Sequence, residues 1–333
     1  GDKEIKMRAI VVHEFGHHHE KAKLENLGIP VPGPGEVVTQ NRAAGVSFAM
    51  SLNIQGKYQR KAPLPYIPGS ESAGVVHAIG PDVTRVKVGD RVMCNVDSGA
   101  CGGYNKVRDI CCHKIPDAAS FEDAATMITS YTTSYGALVF RAKLLAGETL
   151  MVLGAAGGVG LTAVELGKHL GARVIACARG KDKLAVAKRA GADHLIDSTT
   201  QDLREEVRAL GGADVVYDPV GGDQFKAALR ATNPDGRILP LGFASGDVPQ
   251  IPANIILVKN ISVLGFYWGG YAKFAPKVLS DSFRQLFEWY KDGALRPHVS
   301  HVLPLSQTNE ALELLRNRTA TGKVVVQMSG DTA

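Results

Sequence analysis

Apolar positions follow two rhythms along this chain. From Met7 onward the rhythm is strand-like: Met7 to Glu14 reads as a strand, Gly28 to Glu36 (GIPVPGPGE) as a turn-rich loop and Val37 to Ala43 as another strand, with almost no helical period. The first third is therefore mostly β. From Thr149 short apolar runs alternate with helical patterns. Leu150 to Leu153 is an apolar run ending at Gly154, after which Leu161, Val164, Leu166 and Leu170 suit a helix packed on a sheet. Arg173 to Cys177 is a second run, and Lys183 to Ala190 is an amphipathic helix ending at Gly191. The segments HLIDS, Leu203 to Leu210, DVVYDPVGG, Phe225 to Leu229, RILPLGF and ISVLGFYWG continue the alternation. Such a pattern predicts an α/β, doubly wound parallel sheet, with Asp218 to Gly222 and Leu241 to Phe243 just beyond strand ends, the edge on which such sheets bind ligands. Ser280 to Lys291 reads as a helix with Phe283, Leu286, Phe287 and Tyr290 on one face. Val299 to Leu303, a helix from Gln307 to Arg316 and a strand from Lys323 to Met328 finish the chain.

Between the run at Leu150 and its helix the chain reads GAAGGVG. Set against the dinucleotide fingerprint GxGxxG, Gly157 and Gly160 fill the last two places, and Ala155 stands where the first glycine would be. Gly157 lets the backbone approach a pyrophosphate and Gly160 lets the helix close on the strand, so that the helix amides and dipole end can hold phosphates. Glycine turns also join strands to helices in folds that bind nothing. About twenty residues further on, where a dinucleotide fold reads the adenine ribose, the chain has Arg179, Lys181 and Lys183 around a lone acid, Asp182. That balance is cationic and favours a 2'-phosphate, hence NADP over NAD. The plainer alternative is that these are solvated charges opening the next helix.

Composition narrows the remaining classes. At 333 residues the chain has room for two domains, and 45% hydrophobic with 21% charged residues describes a globular protein. No apolar run is long enough to span a membrane, and the first residues lack a signal-peptide core, which argues for a cytoplasmic protein. The net charge of +5 is spread out, with no basic block of the kind nucleic-acid grooves show. Cys94, Cys101, Cys111, Cys112 and Cys177 are an odd number without a repeating spacing, so reduced thiols are expected. His17, His18 and His19 look like a metal tract, but they follow Gly16 among charged residues and consecutive side chains do not easily converge on one ion. An exposed loop is the expectation there.

The pieces PYIPGSESAGVV, GPDVTRVKVGDRV, AAGGVG and GADVVYDPVGG, in that order, resemble the medium-chain dehydrogenase/reductase superfamily, and within it the zinc-independent quinone oxidoreductase (zeta-crystallin) branch. The resemblance runs from about Met7 to Met328. It implies a GroES-like β-rich catalytic domain (1–130), a Rossmann NADP-binding domain (131–268) and a return to the catalytic domain (269–333), with the site in the cleft. It implies an NADPH-dependent reductase of quinones or other electron-poor α,β-unsaturated carbonyls, a small-molecule substrate and a homodimer, the run Asn260 to Trp268 being a strand at the sheet edge. An enoyl or acryloyl thioester reductase is the alternative within this class, and an NADPH-binding structural or sensing protein the alternative outside it.

Several residues take roles from the resemblance. Zinc-dependent relatives carry an early cysteine and a GHE histidine, where this chain has Ser47 and Ser70, and the four cysteines of a structural zinc lobe are missing. No metal is therefore expected. Tyr58, in a GxY similar to that of quinone and enoyl thioester reductases, would donate the proton; a packed tyrosine at a cleft mouth is the alternative. Cofactor contacts would come from Ser47, Thr133, Ala156, Gly157, Gly158, Val159, Gly160, Arg179, Lys183, Leu241, Gly242, Phe243, Phe266 and Trp268, with Tyr135 packing near the nicotinamide and the segment Asn317 to Lys323 closing over the cofactor. The relatives' GVNFAD is here GVSFAM, so Met50 replaces an acid and a more apolar, adaptable pocket is expected.

Overall fold

The structure, a computed structural model, describes residues 6–57 and 61–328, and the chain divides into two compact units. One comprises residues up to Ile128 together with those from Pro297 on; the other runs from Thr129 to Arg296.

The first unit is built on strands, as its rhythm predicts. β1 (Lys6–Val12) pairs antiparallel with β2 (Ala22–Gly28), and β3 (Glu36–Val46) is the long strand around which the main sheet forms. β4 (Glu71–Ile79), β5 (Arg91–Asn95), β6 (Tyr104–Arg108) and β7 (Cys112–Lys114) follow, and the end of the chain adds β14 (Val299–Pro304) and β15 (Lys323–Gln327). The order is β14-β15-β3-β4-β5-β7, with β6 also on β3. Two short helices, α1 (His18–Lys21) and α2 (Phe48–Ile54), and the last helix, α11 (Thr308–Arg316), belong to this unit, where Ile54, Leu312, Val324 and Val326 share one core. Met50 is in that core at 4% exposure. The expected Met-lined pocket is thus corrected, because the first turn of α2 carries Met50 into the core that Val46 and α11 share.

α3 (Phe121–Tyr135) carries the chain into the second unit. The sequence predicts a helix at AASFEDAATM, and its start fits: Ser120 Oγ accepts the Asp123 amide at 3.0 Å, an N-cap that satisfies one orphan donor. The second unit then alternates as predicted: β8 (Thr149–Val152), α4 (Gly158–His169), β9 (Arg173–Ala178), α5 (Gly180–Arg189), β10 (His194–Asp197), α6 (Leu203–Ala209), β11 (Ala213–Asp218), α7 (Gly222–Arg230), β12 (Thr232–Pro240), α8 (Ala253–Lys259) and β13 (Ser262–Val263). Its sheet is parallel in the order β10-β9-β8-β11-β12-β13, the doubly wound arrangement. Met151, Ile175, Val216 and Ile238 are fully buried, which is why these strands read as unbroken apolar runs.

Two expectations shift. The strand foreseen over Asn260 to Trp268 shrinks to Ser262–Val263, because Trp268 opens α9 (Trp268–Phe274) and Asn260 caps α8 in the left-handed region at φ 55°. The two-residue edge offers few hydrogen bonds for pairing with a second copy. The last division, expected at 269, falls at 297: α10 (Pro276–Lys291) buries Phe283 and Leu286, its Trp289 packs on Tyr135 and His169, and the Arg296 amide donates to Glu165 at 3.0 Å. No helix among the described residues is long and apolar enough to cross a membrane.

In the first unit, β4 and β15 flank β3 and bring Glu71, 2% exposed, to Lys323 Nζ at 2.8 Å. Replacing Lys323 by methionine would take away the ammonium 2.8 Å from that buried carboxylate. We expect Lys323→Met to cost about 3–5 kcal/mol in denaturant unfolding; a loss under about 1 kcal/mol would mean that Glu71 is solvated or otherwise neutralised.

Candidate functional site

The parallel register brings the segments that carry Gly157, Arg179, Asp218 and Leu241 to one edge of the second unit's sheet. Val152 of β8 lies opposite Ala176 and Tyr217, and Asp218 of β11 opposite Pro240, so the segments beyond β8, β9, β11 and β12 leave the sheet side by side. Hydrogen bonds sew the glycine turn to both neighbours. The Leu153 amide donates to Tyr217 O and the Ala155 amide to Cys177 O, each at 3.0 Å. Leu241 closes the row by donating to Asp218 O at 2.8 Å.

Within the turn the two glycines do different things. A Cβ on Gly160 would meet Gly154 O at 2.1 Å, backbone that cannot give way, so Gly160 is required for α4 to close on β8. A Cβ on Gly157 would meet only Gly154 O at 3.5 Å, an ordinary contact, and its φ of −78° suits any residue. The protein itself does not need Gly157 bare. The N-terminus of the 12-residue α4 has no side-chain cap, so its first amides are left to another acceptor. Ala156, Gly158 and Val159 belong to this same turn. The residues fit a dinucleotide pyrophosphate.

At the end of β9, Arg179 is the exposed residue before α5, and Gly180 follows at φ 83° with open space around its Cα. Lys183 lies in the first turn, half-buried. Along the sequence Asp182 is the only nearby counter-charge, yet β10 ends at Asp197 opposite Ala178. That carboxylate is held below its usual range by the hydroxyl and amide of Thr199, aided by the Gly180 amide. Its charge is thereby engaged locally. Strand register alone reveals this acid.

Beyond β11, Asp218 is 1% exposed. Its Oδ1 accepts the amides of Val220 at 2.7 Å and Gly221 at 2.9 Å, while Oδ2 has no partner among the described residues. Burial pushes its pKa up, the two amides opposing. Leu241 and Gly242 are half-buried, Gly242 lying against Pro219, and Phe243 is exposed at the rim. Phe266 packs where a side chain on Gly136 would be, and the buried Trp268 Nε1 lacks a partner among the described residues.

Thr133 is half-buried on α3, next to a hydroxyl cluster that periodicity does not disclose. Ser134 Oγ lies 2.8 Å from both Thr162 Oγ1 and Tyr217 OH and donates to Val159 O at 3.1 Å, tying α3 to the first turn of α4. Serine, threonine and tyrosine here form a buried network. Ser47 belongs to the first unit, as the N-cap residue of α2 without a cap bond. Tyr58 lies outside the described residues.

At the positions where zinc-dependent relatives place soft ligands the chain has Ser47 and Ser70, and all five cysteines are free thiols. The three histidines correct an expectation. His17 is extended (φ −64°, ψ 139°) and His18 begins α1, so the backbone bends between them and their rings stack with centroids 4.3 Å apart instead of splaying. His18 is fully buried against Glu313, with its pKa lowered by burial first and by His17 and His19 next.

The chain matches two family models, the alcohol dehydrogenase GroES-like domain over residues 33–139 and the zinc-binding dehydrogenase domain over residues 158–291. It is 39% identical to a quinone oxidoreductase-like protein 2 homolog of Nematostella vectensis over 96% of this chain and 88% of the relative. It is 31% identical to the synaptic vesicle membrane protein VAT-1 homolog of Homo sapiens, over 96% and 84%. Among solved structures it is similar to Escherichia coli quinone oxidoreductase complexed with NADPH, with a TM-score of 0.89, 28% identity and coverage of 97% of this chain and 100% of that one.

The two glycines separate folding from binding. Gly160→Ala should destabilise by about 1–3 kcal/mol through backbone overpacking. Gly157→Ala should leave stability level or raise it by about 0.4–1 kcal/mol, yet weaken dinucleotide binding about tenfold or more in a fluorescence titration. Unchanged binding in Gly157→Ala would remove the turn from the site.

Proposed function

This chain belongs to the zinc-independent quinone oxidoreductase family of medium-chain dehydrogenases/reductases, and from that premise we propose that it is an NADPH-dependent reductase of quinones or other electron-poor α,β-unsaturated carbonyls. The observation that carries the reading is the pairing of an uncapped α4 N-terminus and an unneeded bare Gly157 with Arg179 and Lys183 beyond the adjoining strand. The first pair suits a pyrophosphate and the second a 2'-phosphate. NADPH, when bound, supplies the hydride. The buried Ser134 network holds α3, and with it Thr133, against the turn, while Asp218 braces the loop beyond β11 through two backbone amides.

The protein supplies the other half of the reaction. Hydride added to a polarised alkene or carbonyl leaves a carbanion or oxyanion that takes one proton, and Ser47 and Ser70 are poor Lewis-acid ligands for polarising the acceptor. Tyr58, shortly after α2 in sequence, is proposed as that proton's donor, with water as the alternative. A quinone needs this help least, because its reduced oxygen is protonated readily by solvent.

Arg179→Ala with Lys183→Ala should weaken NADPH binding on the order of a hundredfold, from lost charge-assisted hydrogen bonds, and leave NADH binding nearly level. Equal affinity of the parent protein for the two cofactors would overturn the assignment. In stopped-flow oxidation of NADPH, Tyr58→Phe should slow an enal or enoyl thioester about a hundredfold to ten-thousandfold and leave quinone reduction close to the parent rate. Parent rates with both acceptors would show that Tyr58 is a packing residue.

A further inference from the structure

We propose that His17, His18 and Glu313 form a binding site for a divalent transition cation of the zinc class, clipping α1 to α11 within the first unit. The ligand-capable atoms of these residues lie within 4.8 Å of one another, although Glu313 is 295 residues from His18 in sequence. Two bonds set up the approach. His18 Nε2 is 2.8 Å from Glu313 Oε1, and the Asn309 side chain of α11 donates to Ala22 O at 3.1 Å just beyond α1. His19 Nε2 also reaches Glu313 Oε1, at 3.1 Å, and stands as an outer partner for that carboxylate.

The burial makes this more than three surface imidazoles. His18 is 0% exposed and turns its Nε2 to the Glu313 carboxylate, so the cluster is anchored on an imidazole that solvent does not reach. Two imidazoles and a carboxylate select zinc, copper or nickel over magnesium or calcium. A tetrahedral zinc with bonds of about 2 Å holds its ligand atoms roughly 3.3 Å apart, so the set must contract somewhat. His17 and Glu313 are only partly buried and can turn to do so. A water would complete the shell.

One residue competes. Arg316 Nη1 is 3.3 Å from both His17 Nε2 and Glu313 Oε1, so in the metal-free arrangement its guanidinium serves as the cation. Arg316 is 57% exposed and has room to swing out. This gives the proposal a signature that a simple surface chelate lacks: removing Arg316 should tighten metal binding.

The test is calorimetric titration of Zn²⁺ into the tag-free full chain, with Co²⁺ absorption as a reporter of tetrahedral nitrogen and oxygen ligation. We expect one saturable equivalent with micromolar affinity, a rise in melting temperature on the order of 5 °C at saturating zinc, and no response to Mg²⁺. His17→Asn and Glu313→Gln should each weaken binding at least about tenfold, and Arg316→Gln should strengthen it several-fold. Quinone reduction should persist after chelation, which separates this site from a catalytic zinc and makes its failure independent of the reductase reading. Absence of saturable binding, or binding of equal strength in His17→Asn, Glu313→Gln and parent protein, would overturn the site.

Discussion

The approach of Gly160 to the carbonyl of Gly154 is the contact on which the cofactor-binding half depends. With a side chain there, α4 could not close on β8. Because it does close, the helix N-terminus points out of the sheet's carboxyl edge with its first amides uncapped, and the neighbouring strands each deliver one further segment to the same edge. Uncapped helix amides favour negative charge there before any side chain is considered. Arg179 and Lys183 stand beyond the end of β9, and Asp197, the acid that strand register brings to the same edge, accepts hydrogen bonds from Thr199 and Gly180.

The first unit solves a different problem. Glu71 follows Ser70, which stands where zinc-dependent relatives carry the GHE histidine, and it is buried at the start of a central strand. A buried carboxylate must have a cation or lose its charge. Lys323 provides one from β15, the strand on the opposite side of β3. The first and last thirds of the chain are thereby held together by charge as well as by the shared core of Ile54, Leu312 and Val324.

Periodicity made the second unit legible because its strands are covered on both faces and its helices on one, so apolar runs and helical stripes fall where the elements are. The glycine turn was readable for the same reason: only glycine satisfies the contact at Gly160, and that requirement shows in the sequence. What stayed hidden depends on proximity between distant residues. Asp197 beside Gly180, Ser134 beside Tyr217 and Glu313 beside His18 are each set by register or helix packing, to which a local window is blind. The run Asn260 to Trp268 failed for the opposite reason. Its β-branched and aromatic residues favour a strand locally, but Trp268 begins a helix, so packing overrode propensity.

The histidines show how a sound local rule gives the wrong geometry. Adjacent side chains do diverge along a strand and fan by about 100° along a helix. Neither regular geometry holds at His17, because the chain passes from extended to helical backbone at that residue. The change of direction lets two successive rings face the same way, and α11 then places a carboxylate in front of them. A junction between two backbone conformations can thus assemble donors that neither conformation alone would bring together, and Arg316, one turn along from Glu313, neutralises the cluster when no metal does.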